Sequence, residues 1–187
     1  YDMYLKLLND AVLEQQGRGA KVRTECSADL TVPAYIPEGY VPAAEQRMDL
    51  YRRIAALRTP ADEADLMDEL LDRYGDVPKP VTALLNVAML RAAAMETGIT
   101  DITQKGRQLI FSFDMRIEPA ALLAVCGMAG YRDRLQLAAG ASPKLTLFLQ
   151  PREDALDAAG GLVEQLRLQQ NELQLQGQQP QEGGNEP

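Results

Sequence analysis

The chain has 187 residues, enough for one compact domain with or without a tail. Its apolar share of 46% can build a core, but aromatics make up only 5% and Trp is missing, so that core must be rich in Leu, Val and Ala. The net charge of −8 lacks the basic footprint of phosphate binding and disfavours anionic membrane surfaces; a basic protein partner is the easier fit.

Residues 2–16 read as a helix, with Met3, Leu7, Leu8, Ala11 and Val12 on one face. Gly17 and Gly19 end that pattern. The opening Tyr1-Asp2-Met3-Tyr4 is no signal peptide and reads as a chain already inside a helix, as expected of a piece of a longer protein. From Val22 to Val32 the period changes to two: Val22, Thr24, Cys26, Ala28, Leu30 and Val32 alternate with polar residues, as in a strand with one wet face. Pro33, Pro37, Gly39 and Pro42 predict a rigid extended loop over 33–42.

Three helices follow. The first, over 43–58, is expected to bury Met48, Tyr51, Ile54 and Ala55. The second opens on Thr59-Pro60-Ala61-Asp62: a capping hydroxyl, a proline suited to the first helical position, and an acid at the positive helix end. It should bury Leu66, Leu70 and Tyr74 and stop at Gly75. The third runs from Pro78 or Pro80 to about Thr97, with Gly98 closing it. Ile99–Thr103 and Leu109–Phe113 read as a hairpin across Gln104-Lys105-Gly106-Arg107. A helix over 118–129, strands at 134–138 and 144–149, and a last helix over 152–170 complete the pattern. The Gln-rich remainder cannot bury enough apolar surface to offset its ordering entropy and is expected to be disordered. The fold class is therefore α+β, with helices packed on a small, largely antiparallel sheet.

Much chemistry is missing. There is no His, hence neither the commonest neutral-pH general base nor the commonest metal ligand. No P-loop, GxGxxG or GxSxG motif occurs, and Ser27, Ser112 and Ser142 have no imidazole to activate them. Cys26 and Cys126 are far apart and form no CxxC pair; they read as free thiols in a reducing cytosol, although a disulfide stays open. No catalytic residue, cofactor-binding residue or metal ligand is assigned, and the expectation is a non-catalytic chain.

The informative segment is Asp62 to Asp76, which holds Asp62, Glu63, Asp65, Asp68, Glu69, Asp72 and Asp76 against the single Arg73, a net −6. On a helix Asp65, Asp68, Glu69 and Asp72 form one stripe opposite Leu66 and Leu70, where like charges repel by about 0.2–0.5 kcal/mol per exposed pair. Two readings stand at this point: a solvated helix face, or a docking surface for a basic partner, with Arg as the counter-residue because of its bidentate fit to carboxylates.

At this segment the chain resembles a known family. Tyr35-Ile36-Pro37-Glu38-Gly39-Tyr40-Val41-Pro42, the helix Arg47-Met48-Asp49-Leu50-Tyr51-Arg52-Arg53-Ile54-Ala55, and Asp68-Glu69-Leu70-Leu71-Asp72-Arg73-Tyr74-Gly75-Asp76-Val77-Pro78 resemble, in order and spacing, the C-terminal (TRCF) domain of bacterial transcription-repair coupling factors. The segment from Leu84 to Gly98 fits as well. The likeness is good over about 20–100 and looser to about 168, and Tyr1–Val12 is similar to the end of the family's motor region. The resemblance implies residues 1–19 as the end of the upstream translocase region, 20–170 as the regulatory domain, and 171–187 as a disordered tail that departs from the family.

The resemblance further implies a parent that is an ATP-driven DNA translocase of the bacterial cytoplasm and nucleoid. That parent removes stalled RNA polymerase and recruits UvrA, and its ATP and Mg belong to the motor domains, so no cofactor is expected here. The domain would dock on the parent's UvrB-like N-terminal module and mask its UvrA-binding surface. The family's docking acids fall on Glu69 and Asp72 of this chain, with Asp65 and Asp68 adding to the field. The alternative is an accessory module that touches DNA or RNA polymerase directly, through Arg52, Arg53 and Arg58; the acidic balance speaks against direct DNA contact.

Overall fold

Cys26, Ala28 and Leu30 turn inward and Ser27 and Asp29 outward, as their alternation requires. Ser27, Ala28 and Asp29 form the first strand of the computed structural model, which describes residues 25–178. The expected helix over 2–16, residues 22–24 of the expected strand, and residues 179–187 of the expected tail lie outside these residues.

The strand itself, β1, is only Ser27–Asp29, far shorter than the alternating run. It pairs in parallel with β2 (Ile99–Lys105), and the backbone soon afterwards meets Pro33, which has no N–H to give a ladder. β2 and β3 (Gln108–Phe113) form the expected hairpin, turned by Gly106 and Arg107 with Gly106 at φ 58°. β4 (Leu135–Ala138) and β5 (Lys144–Phe148) form a second hairpin, and β5 pairs with β3. The sheet order is β1-β2-β3-β5-β4, antiparallel except for β1. Leu109, Phe111, Phe113, Leu145 and Leu147 all point to one face, where the helices lie.

Five helices are described: α1 (Ala44–Ala55), α2 (Pro60–Tyr74), α3 (Lys79–Glu96), α4 (Pro119–Cys126) and α5 (Ala155–Gly177). They build two cores. Under the sheet, Leu90, Ala94, Leu122, Val125, Leu162 and Leu166 meet the strand residues. Beside it, α1 and α2 close on the first half of α3 through Leu50, Tyr51, Ile54, Leu66, Leu70, Val81 and Leu85. α3 joins the two: Leu84, Leu85 and Ala88 lie in the helical core, Leu90 and Ala94 in the sheet core. A helix enclosed this way reads as apolar nearly all round, and between Val81 and Glu96 only Asn86 and Glu96 are exposed.

The proline-rich loop is rigid because its polar groups are claimed. The Ile36 N–H donates to the buried Tyr51 hydroxyl at 2.8 Å, and the Arg47 guanidinium donates to the Val41 and Pro42 carbonyls at 2.9 and 2.8 Å. Ile36 and Val41 anchor the loop in the helical core. The apolar face of α1 is turned relative to the expected one: Leu50 is buried, as is Leu57 just beyond the helix, while Met48 and Ala55 are only partly so, as is Tyr74 on α2. α5 runs past the expected helix end at 170 and stays helical to Gly177, so the first seven residues of the expected tail belong to the helix. Gln170, the last buried residue of the helix, accepts from the Glu118 N–H at 3.2 Å and donates to the Arg116 carbonyl at 3.3 Å, anchoring the helix from which these turns extend.

Candidate docking face on helix α2

α2 starts where the sequence requires. The Thr59 hydroxyl accepts from the Asp62 N–H at 3.1 Å, and the Asp62 carboxylate accepts from the Thr59 and Arg58 N–H groups at 3.0 and 3.3 Å, a reciprocal cap. The Thr59 hydrogen bonds, and then that of Arg58, hold the Asp62 carboxyl below its ordinary range. The helix ends at Gly75, whose φ of 79° and ψ of −154° suit only a residue without Cβ. Gly75 donates to Leu71 at 3.1 Å, and its carbonyl, like that of Leu70, accepts from the Tyr40 hydroxyl at 3.3 Å. Tyr40 packs beside Tyr74 with ring centroids 5.6 Å apart. Both ends of the helix are therefore fixed, and its acidic face is presented on a rigid rod.

The acidic stripe divides into two parts. Asp65, Asp68 and Asp72 are exposed, and no described residue pairs with any of them. They span about 10 Å along the helix at 1.5 Å per residue. Glu69, a quarter turn round, is half-buried and already claimed. Arg53 of α1 grips it with both arms, Nη1 to Oε1 at 2.8 Å and Nη2 to Oε2 at 2.5 Å, and Arg73 Nη1 reaches Oε1 at 3.3 Å. The Arg53 hydrogen bonds, with the nearby Arg73 guanidinium assisting, hold the Glu69 carboxyl down at about 2.

A groove of about 240 Å³ runs between α1 and α2, lined by Glu45, Asp49, Arg53, Glu69, Arg73 and Tyr74 among others. Glu45 and Asp49 are the acidic groups that reading α2 alone overlooked. Their spacing of four residues to one another and on to Arg53 puts all three on one helix face, a signal present in the sequence. The alternative set of arginines is partly spent inside the domain. Arg53 holds Glu69, Arg58 Nη1 donates to the Ala55 and Leu57 carbonyls at 3.0 and 2.8 Å, and Arg52 alone is exposed without a described partner.

The thiols offer no obvious chemistry. Cys26 and Cys126 are free, and burial pushes the Cys26 thiol up to about 12. No cluster of three or more His, Cys, Asp or Glu side chains among the described residues could hold a metal ion. No described helix is long and apolar enough to cross a membrane.

A small mixed sheet backed by α3, α4 and α5 thus carries a helical lobe that presents an acidic rod. Residues 30–121 match the model of the TRCF domain family. That stretch, just under half of the chain, is similar to the TRCF domain of transcription-repair coupling factors. It is 34% identical over 105 residues to the transcription-repair-coupling factor of Bacillus subtilis, covering 56% of this chain and 9% of that protein. With the factor of Myxococcus xanthus it shares 41% over 91 residues, 49% of this chain and 8% of the other. The matched part is thus under a tenth of those relatives' length. A solved C-terminal domain of a transcription-repair coupling factor shares the fold, with a TM-score of 0.66, 21% identity, and coverage of 81% of this chain and 99% of that one.

Proposed function

We propose that this domain is a non-catalytic regulatory clamp within a transcription-coupled repair translocase of the bacterial cytoplasm. It docks through the α2 face on the UvrB-like N-terminal module of its parent and so masks that module's UvrA-binding surface; it meets UvrA and RNA polymerase only through the parent. The observation that carries the reading is the row Asp65, Asp68 and Asp72, exposed and unpaired among the described residues on a helix capped at both ends. Three like charges on one face cost stability in isolation and are recovered only against a basic partner. Asp72 is open to such a partner, while Glu69 meets it already held by Arg53 and Arg73. Glu69 therefore serves at the rim, where it aligns the arginines, and the aspartates make the direct contacts.

The test is calorimetric titration of this chain against the UvrB-like module. Asp68→Arg/Asp72→Arg is the variant of choice, because it leaves the Arg53–Glu69 pair intact. Binding should weaken at least about tenfold in the variant, fall with salt as exposed charges are screened, and return when arginines of the partner are exchanged for acids. Unchanged binding by the variant, or docking indifferent to salt, would refute the electrostatic clamp. A mobility shift of duplex DNA at moderate salt would favour the accessory reading instead.

A further inference from the structure

The groove between α1 and α2 has a wall that the aspartate row does not supply. Glu45 and Asp49 stand on it one helical turn apart. Both are exposed, and neither forms a hydrogen bond or ion pair with a described residue. Asp49 lies four residues before Arg53, the order in which an acid and a base of one helix pair best. Yet the Arg53 guanidinium crosses to α2 and grips Glu69 at 2.8 and 2.5 Å, so Asp49 only adds to the field on Arg53. The packing of the two helices has taken the natural counter-ion away from the α1 acids. Arg73 is occupied as well, by Glu69 at 3.3 Å and by the Tyr74 ring 5.2 Å away. Leu50 and Leu70, 4% and 1% exposed, give the groove an apolar floor. At about 240 Å³ it is smaller than the roughly 300–1,000 Å³ of a small-molecule site and suits a single long side chain.

We propose that this groove receives one arginine side chain of the docking partner, with Glu45 and Asp49 as its carboxylates, a proposal that rests on the clamp reading and extends its surface onto α1. Two carboxylates on adjacent turns match the planar fork of a guanidinium, and the aliphatic stem lies along Leu50 and Leu70. An acidic side chain would meet two uncompensated carboxylates, and an apolar one would strip water from both without replacing its hydrogen bonds. Arg53 and Arg73, held on Glu69, close the far end and keep the incoming cation beside Glu45 and Asp49. Asp65, Asp68 and Asp72 lie outside the groove, so two separate sets of carboxylates read the partner.

Two titrations of the full chain test this, each repeated with Glu45→Gln/Asp49→Asn and with the charge-matched control Asp133→Asn/Glu172→Gln, all at exposed positions. In the first, N-acetyl-arginine amide is followed by backbone amide NMR shifts. Saturable shifts centred on Gln46, Asp49 and Tyr74 are expected; they vanish in the groove variant, persist in the control, and are at least about threefold weaker with the lysine analogue. Shifts that miss α1, or that survive in the groove variant, overturn the proposal whatever the clamp does. In the second, the chain is titrated calorimetrically against the UvrB-like module. The groove variant should lose at least about threefold in affinity and the control nothing. A module that binds the parent chain and the groove variant alike sinks the arginine site and keeps the clamp. A module that does not bind the parent chain refutes the clamp, and the arginine titration then decides the groove by itself.

Discussion

Tyr51→Phe removes one oxygen atom and leaves the volume of the helical core unchanged. In the structure that oxygen accepts the Ile36 N–H at 2.8 Å, both groups being buried, with Ile36 at 4% exposure and Tyr51 at 6%. The N–H has no water to turn to, so the loss is that of a buried donor left unsatisfied, about 1–3 kcal/mol rather than the smaller net value of an average hydrogen bond. With a urea slope of about 2 kcal/mol/M, the unfolding midpoint should drop by roughly 0.5–1.5 M with the slope unchanged. Hydrogen exchange should quicken first at the Ile36 amide, because opening then begins in the proline-rich loop. Urea titration followed by circular dichroism reads the first quantity. A midpoint shift below about 0.2 M would refute the claim that this hydroxyl ties the loop to α1, and would leave apolar burial of Ile36 and Val41 as its anchor.

Gln170→Leu should likewise cost about 1–3 kcal/mol, because it strips the partners from the Glu118 N–H and the Arg116 carbonyl; the thermal midpoint should fall by several degrees, with amide protection lost first at the start of α4. Glu69 gives a pH signature. Its folded-state pKa of about 2 lies below its unfolded value, so its stabilising contribution is complete above the ordinary carboxylate range and is lost as pH falls toward 2. Arg53→Gln should return the Glu69 carboxyl most of the way toward its ordinary range, read directly by carboxyl carbon NMR titration; a Glu69 pKa unmoved by that substitution would show that Arg53 does not hold it.

The elements were largely legible before the structure. Thr59, Pro60 and Asp62 mark the start of α2, and Gly75 its end, because caps and left-handed termini depend on neighbours within a few residues. The β2–β3 hairpin was legible for the same reason, as were the loop bounded by Pro33 and Pro42 and the stripe Asp65–Asp68–Glu69–Asp72. Less legible were extents and faces. β1 stops at Asp29 although alternation runs on to Val32, and α5 passes Gln170 although its composition turns polar there.

By itself, then, the order of residues determined which segments are helix and strand, the acidic balance of α2, and the motifs by which the chain resembles the TRCF family. All of these rest on interactions between positions close in sequence. Only the tertiary structure decided that Arg53, sixteen positions away, closes on Glu69 and leaves Asp65, Asp68 and Asp72 as the open charges. It also decided that α3 belongs to both cores, and that Met115, Leu123 and Pro143 meet in one groove. Those outcomes depend on how helices and strands pack against one another, and chain spacing carries no record of a contact until that packing brings the two residues together.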